Sequence, residues 1–271
     1  MEDYSGKTVT DQRQTCVPQF YLTPVGSCPY LPGRQERKIF ARLDGPLAQG
    51  LNNALTQSGF RRSQTIAYKP SCEGCHACVS VRILVNDFVF SPNQRRVLRR
   101  GRDLVSRETY PKATREQYAL LRTYLDTRHA DGGMNDMSLF EYAAMVEETP
   151  VRTRIFEYRL MEGIGGPAGD TQESPLIATA LTDVLNDGLS MVYSFFHPGL
   201  TRRSLGSFMI LDHIRRAQSL GLPYVYLGYW VQECAKMRYK ARFTPLETLT
   251  AEGWQRHDTP PTADQKGDAS S

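Results

Sequence analysis

The chain of 271 residues carries 33 Lys and Arg against 29 Asp and Glu, a formal charge of +4. Hydrophobic residues make up 40% and charged residues 23%, which supplies a packed core and argues against both a disordered chain and a histone-like polycation. The charge is unevenly spread: residues 1–110 hold 16 Lys and Arg against 9 Asp and Glu, residues 111–271 hold 17 against 20, so the first part is the one suited to face a polyanion.

In chain order, the opening MEDYSGK lacks the charged-then-apolar pattern of an export signal. No apolar run is long enough to span a bilayer, so a soluble, cytoplasmic protein with no membrane partner is expected. Residues 1–26 read as a flexible polar arm. Residues 27–110 read as a small Cys- and Arg-rich domain of segments punctuated by Pro and Gly. Within it, residues 79–90 alternate like a strand. Ser91-Pro92 then opens a helix expected to run to about residue 107, with Ser as the cap and Pro in the first turn.

A C-terminal domain is expected over residues 111–250. It begins with helices at 114–128 and 138–147. Strands follow at 152–160, 175–184 and 189–197, with a Gly-rich loop at 161–174 and a hairpin turn at 185–188. A helix at 202–220, a strand at 224–229, a short helix at 233–239 and the segment 240–244 complete it, and residues 251–271 read as a disordered tail. Antiparallel strands, then a helix, then one more strand is the order of a GNAT-like acyltransferase core. The expected fold is therefore α+β, a mixed and largely antiparallel sheet with flanking helices, behind a small Cys-containing domain.

Six Cys in a long chain without an export signal point to metal or thiol chemistry rather than a disulfide framework. Cys72, Cys75 and Cys78, spaced by three residues around Gly74, can converge on one zinc or iron ion. Cys28, or less favourably His76, would complete the set. The alternative is three reduced thiols packed in a tight loop. Cys16 and Cys234 stand alone and read as ordinary residues.

Arg61 and Arg62 precede this cluster, and Arg95, Arg96, Arg99, Arg100, Arg102 and Arg107 follow it. Arg95, Arg99 and Arg102 share one face if the helix continues through them. Such a stripe suits a phosphate backbone, since Arg forks onto phosphate oxygens and releases counterions; the alternative is a solvated face paired with acidic neighbours. Further on, Arg202-Arg203-Ser204-Leu205-Gly206 opens a helix, a place where free N–H groups favour an anion. Arg203 and Gly206 match the loop with which acetyltransferases hold coenzyme A, but Phe208 stands where a small residue is needed. A helix cap with two surface arginines fits the same residues. Tyr193, Phe195, Phe196, Tyr224, Tyr226, Tyr229 and Trp230 suit either a core or stacking on a nucleobase. His197, Asp183 and Tyr193 are the acid/base candidates by residue type.

Several stretches agree jointly with one family: CPYLPGRQERKIF at 28–40, SGFRRS at 58–63, YKPSCEGCHACVSVR at 68–82, FSPNQRR at 90–96, SLG at 204–206, LGLPYVYLGYW at 220–230 and KMRYKARFTP at 236–245. The chain resembles the arginyl-tRNA–protein transferase family, and within it the short bacterial branch of aspartate/glutamate leucyltransferases. The resemblance implies transfer of leucine from Leu-tRNA to the N-terminal α-amine of proteins beginning with Asp or Glu, which marks them for N-degron degradation, with no organic cofactor. On this reading Arg61, Arg62, Lys236 and Lys240 meet the acceptor carboxylate. Arg95, Arg96, Arg99, Arg102, Arg202, Arg203 and Gly206 meet the tRNA. Eukaryotic relatives carry Cys-x-x-Cys where this chain has Cys28-Pro29-Tyr30-Leu31, so Cys72, Cys75 and Cys78 would join Cys28 around zinc or an iron–sulfur cluster. The alternatives are arginine as the transferred residue, a coenzyme-A-dependent N-acetyltransferase with a zinc module, and a non-enzymatic RNA-binding or redox-sensing protein.

Overall fold

A computed structural model describes residues 18–128, 136–161 and 174–261. The first described residues form short strands that assemble into a small antiparallel sheet. Strand β1 (Phe20–Leu22) pairs with β4 (Lys38–Arg42), which pairs with β6 (Ile66–Pro70) and then β5 (Arg61–Ser63), giving the order β1-β4-β6-β5. Between β1 and β4 a two-stranded ribbon, β2 (Gly26–Ser27) with β3 (Gln35–Glu36), presents Cys28 beside its turn. Helix α1 (Ala48–Gln57) packs Leu55 on Ala41, Leu43 and Ala67 beneath this sheet. The expected flexible arm thus includes a paired strand at 20–22, while residues 1–17 lie outside the described residues.

The rest builds one eight-stranded sheet. Its strands are β7 (Val79–Leu84), β8 (Leu104–Thr109), β9 (Thr153–Leu160), β10 (Leu176–Val184), β11 (Gly188–Phe196), β12 (Tyr224–Trp230), β13 (Leu246–Thr250) and β14 (Gly253–His257). They lie in the order β14-β13-β7-β12-β11-β10-β9-β8. Only β11 and β12 are parallel neighbours, joined by helix α5 (Leu205–Ser219). This is the expected mixed, largely antiparallel α+β sheet of GNAT-like order. Strand β10, reading LIATALTDV, is buried over almost its whole length, as a strand covered on both faces must be.

The covers follow from alternation along the strands. Phe156 and Tyr158 of β9 join the cluster that holds Val81, Ile83, Val225, Met209, Leu211 and Ile214 under α5 and helix α2 (Pro92–Arg100). Ile155, one residue away, turns to the other cluster, with Leu121, Leu125 and Tyr142 of helices α3 (Arg115–Arg128) and α4 (Leu139–Glu147).

Several boundaries differ from expectation. Helix α2 opens as expected, with a reciprocal cap in which Ser91 Oγ accepts from the Gln94 N–H and Gln94 Oε1 accepts from the Ser91 N–H at 2.8 Å. It stops at Arg100 with Gly101 as its C-cap, and the ring of Phe208 sits against Gly101 where a Cβ would lie. The residues after it form β8, so Arg107 lies on a strand and Arg102 in a turn. The expected helix at 202–220 is a 3-10 turn (Thr201–Arg203) followed by α5, and the segment near 239 is a 3-10 turn (Arg238–Arg242). Of the expected tail at 251–271, residues 253–257 form β14, antiparallel to β13, with Trp254 Nε1 donating to Gln57 O at 2.9 Å, and residues 262–271 lie outside the described residues. Finally, β7 and β8 belong to the large sheet, so the two sheets do not divide at residue 110. The Gly-rich loop falls at residues 162–173, outside the described residues. Among the described residues no helix is long and apolar enough to cross a membrane.

Candidate active site where two parallel strands part

β11 and β12 pair only at Gly188–Tyr224, Leu189–Val225 and Ser190–Tyr226, and beyond these residues they diverge. Divergence leaves backbone groups without a ladder partner, and buried groups of that kind need another one. Two cations supply it. Arg61 reaches from β5 and donates to Val192 O of β11 at 2.7 Å. Lys240, from the 3-10 turn Arg238–Arg242, donates from Nζ to Leu227 O at 2.9 Å and to Tyr229 O at 2.7 Å on β12.

Gly228 makes the arrangement fit. The register of β12 against β7 shifts between Tyr226 and Gly228, and Gly228 has φ +69. A Cβ there would collide with the Arg61 side chain. A glycine inside a strand pattern signals a bulge or a close backbone approach. That signal was present in the LGYW stretch and is absent from the residues picked out by sequence.

The electrostatics of the cleft are unusual. Burial opposes the charge of Arg61, but Tyr68, Tyr30, Tyr229 and Tyr239, once ionised at high pH, outweigh it, so the Arg61 pKa lies above the ordinary value and the group is a cation near neutrality. Burial, with Arg61 beside it, brings Lys240 down to about 7 against an opposing pull from Cys234. Burial pushes the Tyr30 and Tyr239 phenols up to about 12, so both are neutral donors at physiological pH. Tyr239 owes its shift first to that burial, with Tyr124 adding to it and Arg128 and Arg61 opposing. Tyr229 donates to Tyr68 O at 2.9 Å, which ties β12 to the small sheet. At the far side of the cleft, the ring of Tyr124 on α3 lies 5.2 Å from that of Phe196, and Arg128 stands 5.1 Å over the same ring.

The four cations expected at the acceptor carboxylate are separated by the fold. Arg61 and Lys240 meet in the cleft. Lys236 is exposed and donates to Arg128 O at 3.0 Å, at the end of α3. Arg62 is removed altogether: successive residues of a strand face opposite ways, and it forms a two-pronged pair with Asp183 at 2.6 and 2.7 Å, with side chains only 1% and 2% exposed. Thr153 Oγ1 also donates to Asp183, at 2.8 Å. Asp183 is thus a structural anion and not an acid/base group in a cleft. Tyr193 is half-buried, and burial raises its phenol above the ordinary value. His197 is exposed just past β11, and its Nδ1 accepts from the Gly199 N–H at 3.2 Å.

The two basic segments are brought together. Arg95, Arg96, Arg99 and Arg100 are exposed on α2, Arg102 is exposed after it, and Arg100 donates to Arg202 O at 3.1 Å. Arg203 forks onto Asp103 at 2.7 and 2.8 Å, so its charge is already matched. A Cβ on Gly206 would come within 3.3 Å of the Phe196 ring, and Phe208 points into the core beside Tyr158 rather than into the start of α5.

Cys28, Cys72, Cys75 and Cys78 are free and half-buried. They are near neighbours: burial, then Cys28, Cys72 and Cys75, push Cys78 up to about 12. Among the described residues, however, no three His, Cys, Asp or Glu side chains converge to hold a metal ion.

Comparison with known proteins decides the family. Residues 26–96 match the N terminus and residues 116–250 the C terminus of arginine-tRNA-protein transferase. An aspartate/glutamate leucyltransferase of Sinorhizobium medicae is 59% identical over 241 residues, covering 89% of this chain and 92% of its own. The chain belongs to the arginine-tRNA–protein transferase family. Proteins of the same name from Rhodopseudomonas palustris and Parvibaculum lavamentivorans are each 57% identical, over 245 and 249 residues, covering 90% and 92% of this transferase and 94% and 99% of their own chains. Among solved structures, FemX aligns with a TM-score of 0.39 and 11% identity over 71% of this chain and 63% of its own, too loose a match to carry residue correspondences.

Proposed function

We propose that this transferase moves leucine from Leu-tRNA to the N-terminal α-amine of proteins beginning with Asp or Glu, in the cytoplasm, and so marks them for N-degron degradation. The observation that carries the reading is the identity of 57–59% to aspartate/glutamate leucyltransferases over about nine-tenths of both chains. The chemistry of the cleft supports it. An aminoacyl ester is already activated, and an α-amine with an ordinary pKa of ~7.7–8.0 is partly neutral near pH 7. Positioning and stabilisation of the developing oxyanion then supply much of the rate.

Arg61 has five N–H groups and spends one on Val192 O among the described residues, which leaves a fork for a carboxylate. The exposed arginines of α2, with Arg202, offer a surface for the tRNA backbone. Cys28, Cys72, Cys75 and Cys78 take no part in these steps; metal analysis of the purified protein tests whether they hold zinc or an iron–sulfur cluster.

The test is transfer of label from Leu-tRNA or Arg-tRNA to peptides beginning with Asp, Glu, Lys or Ala. Label passing from Leu-tRNA to the Asp and Glu peptides alone is the expected result. Transfer from Arg-tRNA instead reassigns the donor, and no transfer from either overturns the reading. Arg61→Gln should reduce the preference for Asp and Glu over Ala.

A further inference from the structure

Resting on that reading, we infer that Lys240 is the general base of the transfer, taking the proton from the attacking α-amine and returning it to the departing ribose oxygen. A neutral amine has two N–H groups and one lone pair, whereas an ammonium has three N–H groups and no lone pair. Among the described residues Nζ donates to two acceptors, Leu227 O and Tyr229 O. The neutral form is therefore fully satisfied as a donor and keeps one lone pair unused. The charged form would need a third acceptor beside the Arg61 guanidinium.

The surroundings favour the neutral form from several elements. Arg61 of β5 opposes a second positive charge, and Cys234, in the turn after β12, is the group that favours it. Tyr229 of β12 and Tyr239 beside Lys240 have phenols held above their ordinary values by burial, so neither supplies a counter-charge near neutrality. Among the described residues no carboxylate acts on Lys240. A base that changes state near the working pH is the one best suited to proton transfer, and burial with a cationic neighbour brings Lys240 to about 7.

The step balances. The α-amine lone pair forms a bond to the ester carbonyl carbon, and the Lys240 lone pair accepts the proton that the amine sheds. When the tetrahedral intermediate collapses, the bond from carbon to the ribose oxygen breaks, and that oxygen takes the proton from Lys240. The products are an amide and a free ribose hydroxyl, and Lys240 is again neutral. Neither oxidant nor metal is required.

The experiment is single-turnover transfer from Leu-tRNA to an Asp peptide between pH 5.5 and 9, with wild type, Lys240→Met and Lys240→Arg, beside Leu-tRNA affinity for each. General-base catalysis contributes on the order of 10²–10⁴-fold, and a loss of that size is expected in both variants with tRNA affinity within about threefold. The wild-type profile should carry a limb near pH 7 that both variants lack, leaving only the limb of the acceptor amine. Arginine keeps the charge but stays protonated, so failure of Lys240→Arg to restore the rate separates a base from a structural cation. If Lys240→Met does not fold, Lys240→Gln, which retains an N–H donor for the carbonyls, takes its place. Wild-type rates in the variants, or a uniform loss with the limb near pH 7 retained, would overturn the assignment while leaving the transferase reading intact. Absence of transfer by the wild type would overturn both.

Discussion

Arg61 and Arg62 are adjacent in one short strand and meet opposite fates. Arg62 enters a region where every charge has been matched: Asp183 takes its fork, Thr153 completes the carboxylate, and water is excluded. Arg61 enters a region where matching is incomplete. Two strands part there, glycine leaves room, and two basic side chains stand together, Arg61 with N–H donors and neutral Lys240 with a lone pair in reserve. The contrast assigns stability to the first region and chemistry to the second, since groups held away from their preferred state cluster where function needs them.

The contrast breaks first at the ion pair. Removing one member of a buried pair strands the other, at a cost of about 3–5 kcal/mol, so Arg62→Met or Asp183→Asn should lower the urea unfolding free energy by about that much. Arg61→Gln, one residue away, should cost about 1.5–3 kcal/mol, the scale of one charge-assisted hydrogen bond, yet lose more transfer activity than a comparably destabilised variant elsewhere. Equal stability losses at the two positions would erase the distinction.

His213 belongs to the matched class and extends the contrast to pH. Its Nδ1 faces Met209 O at 2.7 Å, so that nitrogen carries the proton, and Nε2 is left to accept from Thr182 Oγ1 at 2.9 Å. Burial lowers its pKa to about 4, against a backbone hydrogen bond that raises it. Below pH ~6.5 the unfolded chain takes up a proton that the folded chain refuses. Stability is therefore intact above pH ~6.5 and falls as pH drops towards 4, by up to about 3 kcal/mol from this residue alone. Unfolding curves at pH 7 and pH 4.5 should show the fall, and Thr182→Val with His213→Leu should flatten it.

Two glycines sharpen the comparison further. Gly228 (φ +69) and Gly221 (φ +67) have nearly the same left-handed backbone, but a Cβ meets Arg61 at the first and open space at the second. Alanine at either should cost about 1–2 kcal/mol for the backbone. Only Gly228→Ala should also displace Arg61 and depress transfer, so equal activity in the two variants would detach the cleft from the reaction.

Much of this was legible in local pattern and little of it in partnership. The Ser91-Pro92 helix start, the turn at 185–188 and the strands at 152–160, 175–184 and 189–197 are short-range signals, and they appear close to where spacing placed them. The end of α2 at Gly101 is a short-range signal that the surrounding arginine run obscured, and the Phe208 ring that leaves room only for glycine there comes from more than 100 residues away. Asp183 and Arg62 are separated by 121 residues, so residue type alone sent one to the catalytic set and the other to the acceptor set. Lys240 was picked out for its charge, but its two carbonyl partners exist only because β11 and β12 part.

The smallest expected effect concerns the basic surface. Each Lys or Arg on a nucleic-acid phosphate releases counterions on binding, so removing one lowers the slope of log affinity against log salt by roughly 1. Arg99 and Arg102 are exposed near the end of α2, whereas Arg203, close by, is committed to Asp103. Arg99→Gln and Arg102→Gln should therefore each weaken Leu-tRNA binding and flatten its salt dependence, while the maximal rate of bound substrate is unchanged. Arg203→Gln should leave the slope nearly as it was, because its counter-charge is already part of the protein. Helix α2 ends before Arg102, so the two exposed arginines do not share a helical stripe. A joint effect of Arg99 and Arg102 on the slope would then reflect a surface assembled from the helix end and the turn beyond it. If Arg203→Gln flattened the slope as much as Arg99→Gln, the pairing with Asp103 would not survive tRNA binding, and the line between matched and unmatched charge would have to be redrawn at this surface.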